Sequence, residues 1–310
     1  MRLPGRDRAD GSGGAAVGGP GLWHATAPPH RANPPLRDDL EVDVAIVGGG
    51  FSGLWTAYHL LAAEPSLRVV VLERDVVGFG ASGRNGGWLM AAAPASLPVW
   101  EKAFGLHAVE RAQAVLIDAV GEVAQVVSTE GIDCGLRIAG GEVTVARTPA
   151  EVARVKAHRE ELIHFGWPAE GLSWLEPAAV AERVGAVGTL GGLEVRPCGT
   201  LNPVALVRGL AGAVERLGGR ICERTEAESI EPGLVRCGDA TVRAAKIVMA
   251  TEAFTVQQPG EGRRYLPLAS TMIATAPLPA AVRSEIGWSG GEAVGDAHHL
   301  FFYAQLTPEG

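Results

Sequence analysis

The stretch Val42-Asp43-Val44-Ala45-Ile46-Val47-Gly48-Gly49-Gly50-Phe51-Ser52-Gly53 decides the fold. Its first half is a run of apolar, mostly β-branched residues, the pattern of a strand buried on both faces. Its second half is G-x-G-x-x-G, with Gly48, Gly50 and Gly53 in the required places. An apolar helical segment, Leu54 to Leu61, follows directly, and then a second strand pattern, Arg68 to Leu72, that ends in Glu73. Glu73 lies 20 residues after Gly53. A glycine turn alone is weak evidence. Strand, turn, helix, strand and acid in this order form a dinucleotide-binding unit. In such a unit Gly48 makes the tight turn, Gly50 lets a pyrophosphate approach the backbone, and Gly53 lets helix and strand pack closely. The phosphates meet the unpaired N–H groups of the helix N-terminus. The acid accepts hydrogen bonds from a ribose hydroxyl.

Bulk properties agree with a globular α/β protein. The chain has 310 residues, 47% hydrophobic and 20% charged, with 42 glycines. A net charge of −8 argues against a general nucleic-acid partner. No apolar run reaches the roughly 20 residues of a membrane span. Residues 1–22 lack the apolar core of a signal peptide. The four cysteines, Cys134, Cys198, Cys222 and Cys237, are scattered without a C-x-x-C pair. They read as buried thiols of a protein in a reducing cytoplasm. Residues 1–38, rich in Gly and Pro, are expected to be a disordered or extended arm that Leu22-Trp23 pins to the body.

A second glycine-rich stretch, Gly78 to Trp88, places five glycines within ten residues around Ser82, Arg84 and Asn85. So much glycine is costly in a packed element and suits a loop that lies against something. A flexible surface loop is the plain alternative; a second cofactor loop fits its place just after Glu73. Residues 100–129 carry an apolar helical stripe, Val109, Ala112, Leu116, Val120, Val123 and Val127, which reads as core. Thr148-Pro149-Ala150-Glu151 is a capping box, and the helix it opens is expected to stop at Gly166. Asn202-Pro203 opens another helix, ended by Gly218-Gly219. The strand Ala245 to Ala250 is positioned to rejoin the first parallel sheet. Leu266–Thr275 and His299–Leu306 alternate as antiparallel strands do. The eight histidines are dispersed, so no metal site is expected. Neither a nucleophile elbow nor a P-loop occurs, and no catalytic residue is marked.

The residues 47–58, Leu72-Glu73 and Gly78 to Gly87 resemble the FAD-dependent amine and amino-acid oxidoreductases of the D-amino-acid oxidase family. The Gly80-Ala81-Ser82-Gly83-Arg84-Asn85-Gly86-Gly87 stretch is most similar to the γ-glutamylputrescine oxidoreductase branch. The resemblance continues through Asn202-Pro203, Ile247 to Thr251 and Ile273 to Thr275, and spans residues 40–310. It implies an α/β fold with a discontinuous FAD-binding Rossmann-like domain, residues 39–95 and 200–258, and a second, antiparallel-sheet substrate domain, residues 96–199 and 259–310. It implies FAD held by Gly48, Gly50, Phe51, Ser52, Gly53, Glu73, Arg74, Ser82, Arg84, Asn85, Gly86, Gly87 and Ala227, with backbone contacts to adenine at Thr225-Glu226-Ala227. The implied chemistry is hydride transfer from the carbon beside an amine nitrogen to flavin N5. The imine is then hydrolysed, and electrons pass to oxygen or another acceptor.

Three features depart from the family. Position 252 is Glu where relatives often have Asn, and position 84 is Arg where histidyl-linked relatives have His, so the FAD is expected to be non-covalent. Relatives also continue past the point matched by Gly310, so the chain is expected to be C-terminally truncated. An inactive flavoprotein fragment and an NAD-dependent dehydrogenase remain alternatives.

Overall fold

The computed structural model describes residues 21–310 apart from Ala95, Pro259, Ala269 and Ser289. The apolar run forms the strand Leu40–Val47, an inner strand of a six-stranded sheet. Val69–Leu72 lies parallel to it on one side and Ala240–Met249 parallel on the other. Arg220–Cys222 continues the parallel set beyond Val69–Leu72. Leu234–Cys237 and Ser229–Glu231 complete the far edge in antiparallel register. Ala240–Met249 therefore rejoins the first sheet, as its core residues predicted.

The alternation of the first strand divides two apolar layers. Val44 and Ile46 point to the helices Phe51–Ala63 and Pro203–Arg216, where Leu54, Leu61, Leu210 and Val214 cover them. Ala45 and Val47 point the other way, to Leu36, Val235 and Val242. Each large apolar side chain removed from water in these layers contributes about 1.5–3 kcal/mol. Asn202 caps its helix as expected: its Oδ1 accepts from the amides of Val204 and Ala205 at 3.0 and 3.1 Å.

A second sheet of five strands runs in the order Tyr303–Gln305, Ala293–Asp296, Glu142–Ala146, Gly191–Val195, Leu172–Leu175. Its pairs are antiparallel except Ala293–Asp296 with Glu142–Ala146, which is parallel. The helix Pro149–His164 packs on one face through Val155 and Leu162, and Pro177–Val184 on the other through Val180 and Val184. The capping box is present, with the Glu151 amide donating to Thr148 Oγ1 at 3.2 Å. Trp88–Met90 and Cys198–Thr200 form a separate two-stranded antiparallel sheet.

Several local expectations change. The segment 100–129 is not one helix: Leu97–Phe104 and Leu106–Thr129 meet at Gly105, whose φ of +82° breaks the turn. Leu266–Thr275 forms no strand among the described residues, because no neighbouring strand pairs with it, and Ile273 is 93% exposed. His299–Leu306 contracts to Tyr303–Gln305, and the pairing strand Ala293–Asp296 was not anticipated. Its Gly-containing sequence Ala293-Val294-Gly295-Asp296 carries little strand propensity of its own.

The arm also differs from a loosely draped tail. Residues 1–20 lie outside the described residues. From Gly21 the chain forms a short helix, Leu22–Thr26, and then an extended path to Asp38. Trp23 is 6% exposed and its Nε1 donates to the Asn85 carbonyl at 2.8 Å, so the expected Trp23 anchor is present. A second anchor was not anticipated. Glu223 is fully buried, and its carboxylate contacts His30 Nε2 at 2.8 Å and accepts from the amides of Asn33 and Val77, the latter at 2.6 Å. One carboxylate thus joins the arm, the end of a sheet strand and the start of the second glycine loop. Thr225 adds to this, with its Oγ1 accepting from the Leu36 amide at 3.0 Å.

Glu223→Ala would leave three groups on two segments, the His30 ring and the Asn33 and Val77 amides, without their partner. The expected result is a loss of about 3 kcal/mol or more in urea denaturation, with protease cleavage appearing between residues 27 and 38. Unchanged stability and an uncut arm would show that the carboxylate does not anchor it.

Candidate dinucleotide cleft

The first glycine turn is set by close backbone approach. Gly48 has φ +114°, and a Cβ there would sit 2.3 Å from the Ala250 carbonyl oxygen. A Cβ on Gly53 would sit 2.0 Å from the Gly48 carbonyl oxygen. The helix Phe51–Ala63 begins at Gly50 without a side-chain cap, so its first turn opens toward the space in front of the turn.

The second glycine loop lies directly on the first. The Gly78 amide donates to the Gly49 carbonyl at 3.1 Å, and the Phe51 amide donates to Ser82 Oγ at 2.9 Å. Gly83 is needed for the same reason as Gly53: its Cβ would fall 2.1 Å from the Gly78 carbonyl oxygen. The loop is therefore packed against its neighbour rather than free at the surface.

At the other end, Glu73 Oε2 accepts from the Gly49 amide at 2.7 Å and Oε1 from the Asp75 amide at 2.9 Å. Burial pushes the Glu73 carboxyl above its ordinary value, against the pull of these two amides. A carboxylate has about four lone-pair sites, so acceptor capacity remains for a diol. Arg74 Nη1 donates to Gln257 Oε1 at 2.7 Å, and its guanidinium lies 4.8 Å from the Phe254 ring centroid. Thr225 donates its amide to the Glu73 carbonyl at 2.8 Å, which fixes the turn that runs on through Ala227.

These parts enclose one cleft with about 1040 Å³ of empty space, part of it open to solvent. Of the residues expected to hold the cofactor, Gly48, Gly50, Phe51, Ser52, Glu73, Arg74, Ser82 and Ala227 line it. Gly53 lies behind the turn, against Gly48 and Ile46. Arg84, Asn85, Gly86 and Gly87 lie outside the cleft lining. Arg84 Nε donates to the Phe79 carbonyl at 2.8 Å, and its guanidinium stacks 5.1 Å from the Phe79 ring centroid. Asn85 Nδ2 donates to the Ser82 carbonyl at 2.9 Å, and its Oδ1 accepts from the Gly87 amide at 2.9 Å. Gln305 Nε2 donates to the carbonyls of Gly86 and Gly87 at 2.6 and 3.1 Å. Those four residues shape the loop from inside.

Sequence reasoning missed Phe254, Gln257 and Gln258 of the cleft wall. They sit on the short 3₁₀ helix Glu252–Gln257 and the residue after it, where no periodic pattern announces a site. Among the described residues no three His, Cys, Asp or Glu side chains converge on a metal position. The four cysteines are buried and unpaired, and burial pushes the Cys134 thiol up to about 11. No described helix is long and apolar enough to cross a membrane.

Comparison with known proteins places this arrangement. The sequence profile of the FAD dependent oxidoreductases, DAO, matches residues 43–310. The chain belongs to that family. It is 30% identical to the γ-glutamylputrescine oxidoreductase of Escherichia coli strain K12 over 280 residues, 88% of this chain and 64% of that protein. It is 27% identical to a probable oxidoreductase OrdL of Haemophilus influenzae over 286 residues, 89% of this chain and 65% of that one. The chain thus spans a little under two thirds of the length of these relatives. Among solved structures it resembles the glycine oxidase of Geobacillus kaustophilus at 25% identity, with a TM-score of 0.53, over 68% of this chain and 55% of that one. The L-proline dehydrogenase of P. horikoshii shares the fold at 17% identity, with a TM-score of 0.61, over 83% of this chain and 65% of that one. The family's cofactor suits the cleft: two glycine turns give backbone access, a helix N-terminus faces the space, and the half-buried Glu73 carboxylate lies beyond it.

Position 252 now has a physical reading. Glu252 is exposed and holds φ +45°, a left-handed conformation that Asn adopts far more readily than Glu. Glu252→Asn is expected to raise stability by about 1 kcal/mol, read as a higher urea midpoint. An unchanged or lower midpoint would mean that the backbone there carries no strain.

Proposed function

We propose that this chain forms the dinucleotide-binding and part of the substrate-binding portion of a flavoenzyme that oxidises a C–N bond of an amine or amino acid. The observation that carries the reading is the single cleft joining both glycine loops to Glu73 and the Thr225–Glu228 turn. In it the Gly48–Gly50 backbone and the first turn of the helix Phe51–Ala63 hold the pyrophosphate. Glu73 orients the adenosine ribose, preset by its bonds to the Gly49 and Asp75 amides. Ala227 and its neighbours meet the adenine, and Ser82 fixes the second loop beside the phosphates through the Phe51 amide. Arg84, Asn85, Gly86 and Gly87 hold the shape of the loop toward the flavin ring, with the Arg84 guanidinium engaged on Phe79. Held non-covalently by these residues, FAD would supply a two-electron acceptor for oxidation at the carbon beside nitrogen. The substrate nitrogen must present a lone pair, which requires a neutral amine at the reacting carbon. A division into a flavin domain, residues 39–95 and 200–258, and a substrate domain, residues 96–199 and 259–310, is part of this proposal, supported by the two large sheets each drawing their strands from one of the two sets. A cytoplasmic location is part of the same reading, supported by four free, buried cysteines.

Purified chain is expected to take up FAD and to bleach anaerobically with an amine or amino acid. Glu73→Ala should weaken FAD binding about tenfold or more, the effect of losing charge-assisted hydrogen bonds to the ribose. Bound flavin that no amine reduces would indicate a catalytically inactive fragment. Uptake of NADH in place of FAD would favour the dehydrogenase reading. Failure to bind FAD at all would refute the proposal for this chain.

A further inference from the structure

A second cavity, with about 750 Å³ of empty space, lies apart from the dinucleotide cleft. It is bounded by the strands Glu142–Ala146 and Gly191–Val195 and by the helices Leu106–Thr129 and Pro149–His164. Its walls are apolar at Met90, Leu162, Trp167 and Val195. The Trp167 indole N–H is already engaged, donating to the Arg196 carbonyl at 2.9 Å, so the ring offers only its apolar surface.

The cavity's polar lining is Ser96, Gln113, Glu142, Thr144, His158 and Glu161, with the Glu142 carboxylate as the inner acceptor. Glu142 Oε1 accepts from Thr144 Oγ1 at 2.8 Å, and no Lys or Arg lines the cavity to pair with the carboxylate. Gln113 is 1% exposed, and its Nε2 donates to the Ala91 carbonyl at 2.9 Å, which leaves its Oε1 as an acceptor. Glu161 and His158 stand on the more exposed side and pair with each other at 3.3 Å. Burial pushes the Glu142 carboxyl above its ordinary range, opposed by the Thr144 hydrogen bond and by the His158 charge. A half-buried carboxylate among apolar walls, with only the exposed His158 imidazole as a basic neighbour, is costly as an anion unless it takes up a proton or something fills the space with positive charge.

The lining selects the type of cation. A divalent metal requires several converging ligands, and no group of three exists among the described residues. An alkylammonium presents three N–H donors to Glu142, Gln113 and Thr144 and a hydrocarbon stem to Met90 and Trp167. Met90 closes the strand Trp88–Met90, which starts immediately after the second glycine loop. The cavity is therefore only ~10 Å along the chain from that loop.

We propose that this cavity binds the ammonium end of an alkylamine, with Glu142 as the specificity-determining residue. A carboxylate that grips an ammonium stabilises its protonated form, the opposite of what a reacting nitrogen needs. The nitrogen held at Glu142 is therefore not the one oxidised. In the proposed reaction, on which this part of the inference rests, the substrate class is an amine carrying a second, cationic nitrogen.

The test is calorimetric titration of the 310-residue chain with n-butylammonium chloride and with n-butanol, its neutral counterpart. Butylammonium should bind and butanol should bind markedly more weakly. Glu142→Gln should lower the ammonium affinity about tenfold or more. Glu161→Gln, at the exposed side, should change it less than about threefold. Equal binding of alcohol and ammonium, no binding by the unaltered chain, or an unaltered affinity in Glu142→Gln would overturn the assignment. FAD uptake is measured separately. Ammonium binding without FAD uptake would sink the flavoenzyme reading and leave the pocket, and FAD uptake without ammonium binding would sink the pocket alone.

Discussion

The contact between the Gly48 carbonyl and the α-carbon of Gly53 governs the architecture. No side chain fits between them, and a Cβ would come within 2.0 Å of the oxygen. That proximity lets the helix Phe51–Ala63 start directly off the strand and lie flat on the sheet. From there Leu54 and Leu61 reach Ile46 and Val71, and the helix Pro203–Arg216 finds its place beside them. The same turn presents the backbone on its other side. Close packing behind the turn and open backbone in front of it are two results of one steric constraint.

The second glycine loop repeats the device. Gly83 passes against the Gly78 carbonyl as Gly53 passes against that of Gly48. The two loops are joined by Gly78 to Gly49 and by Phe51 to Ser82, so neither has its observed shape without the other. Glu223 and the arm residues His30 and Asn33 support this pair from beneath, through the Val77 amide. Polar anchors of this kind stabilise less than an apolar core does, yet they fix direction, because a buried carboxylate tolerates few arrangements of its donors.

What could be read from the chain follows the range of the interactions. The first strand, the glycine turn, Glu73 and the capped helices at Thr148 and Asn202 all depend on neighbours within a few residues, and local chemistry announced them. The positions of Phe254 and Gln257 beside Arg74 depend on a strand returning from far along the sequence, and no local pattern encodes that. The Glu223 anchor was hidden because its arm partners precede it by about 190 residues and Val77 by 146. Leu266–Thr275 shows the converse case. Its alternation is strand-like, but a strand needs a neighbour, and its apolar side chains remain exposed. Arg84 to Gly87 were implied as cofactor contacts by the family resemblance; their hydrogen bonds within the loop depend on its folded shape, which the sequence does not spell out.

The parallel pairing of Leu40–Val47 with Ala240–Met249 has a kinetic consequence. The first strand's register with Ala240–Met249 cannot be completed until the chain has been made through Met249, some 200 residues later. Closing so long a loop costs entropy that grows only slowly with length, so the final state bears little penalty. The search is where the delay falls, since non-local parallel pairing belongs to the slow end of folding rates. During synthesis the Leu40–Val47 strand would stand for seconds with one edge unpaired, at emergence rates of about 5–20 residues per second. A chain of this topology therefore spends its most aggregation-prone interval waiting for its own later half.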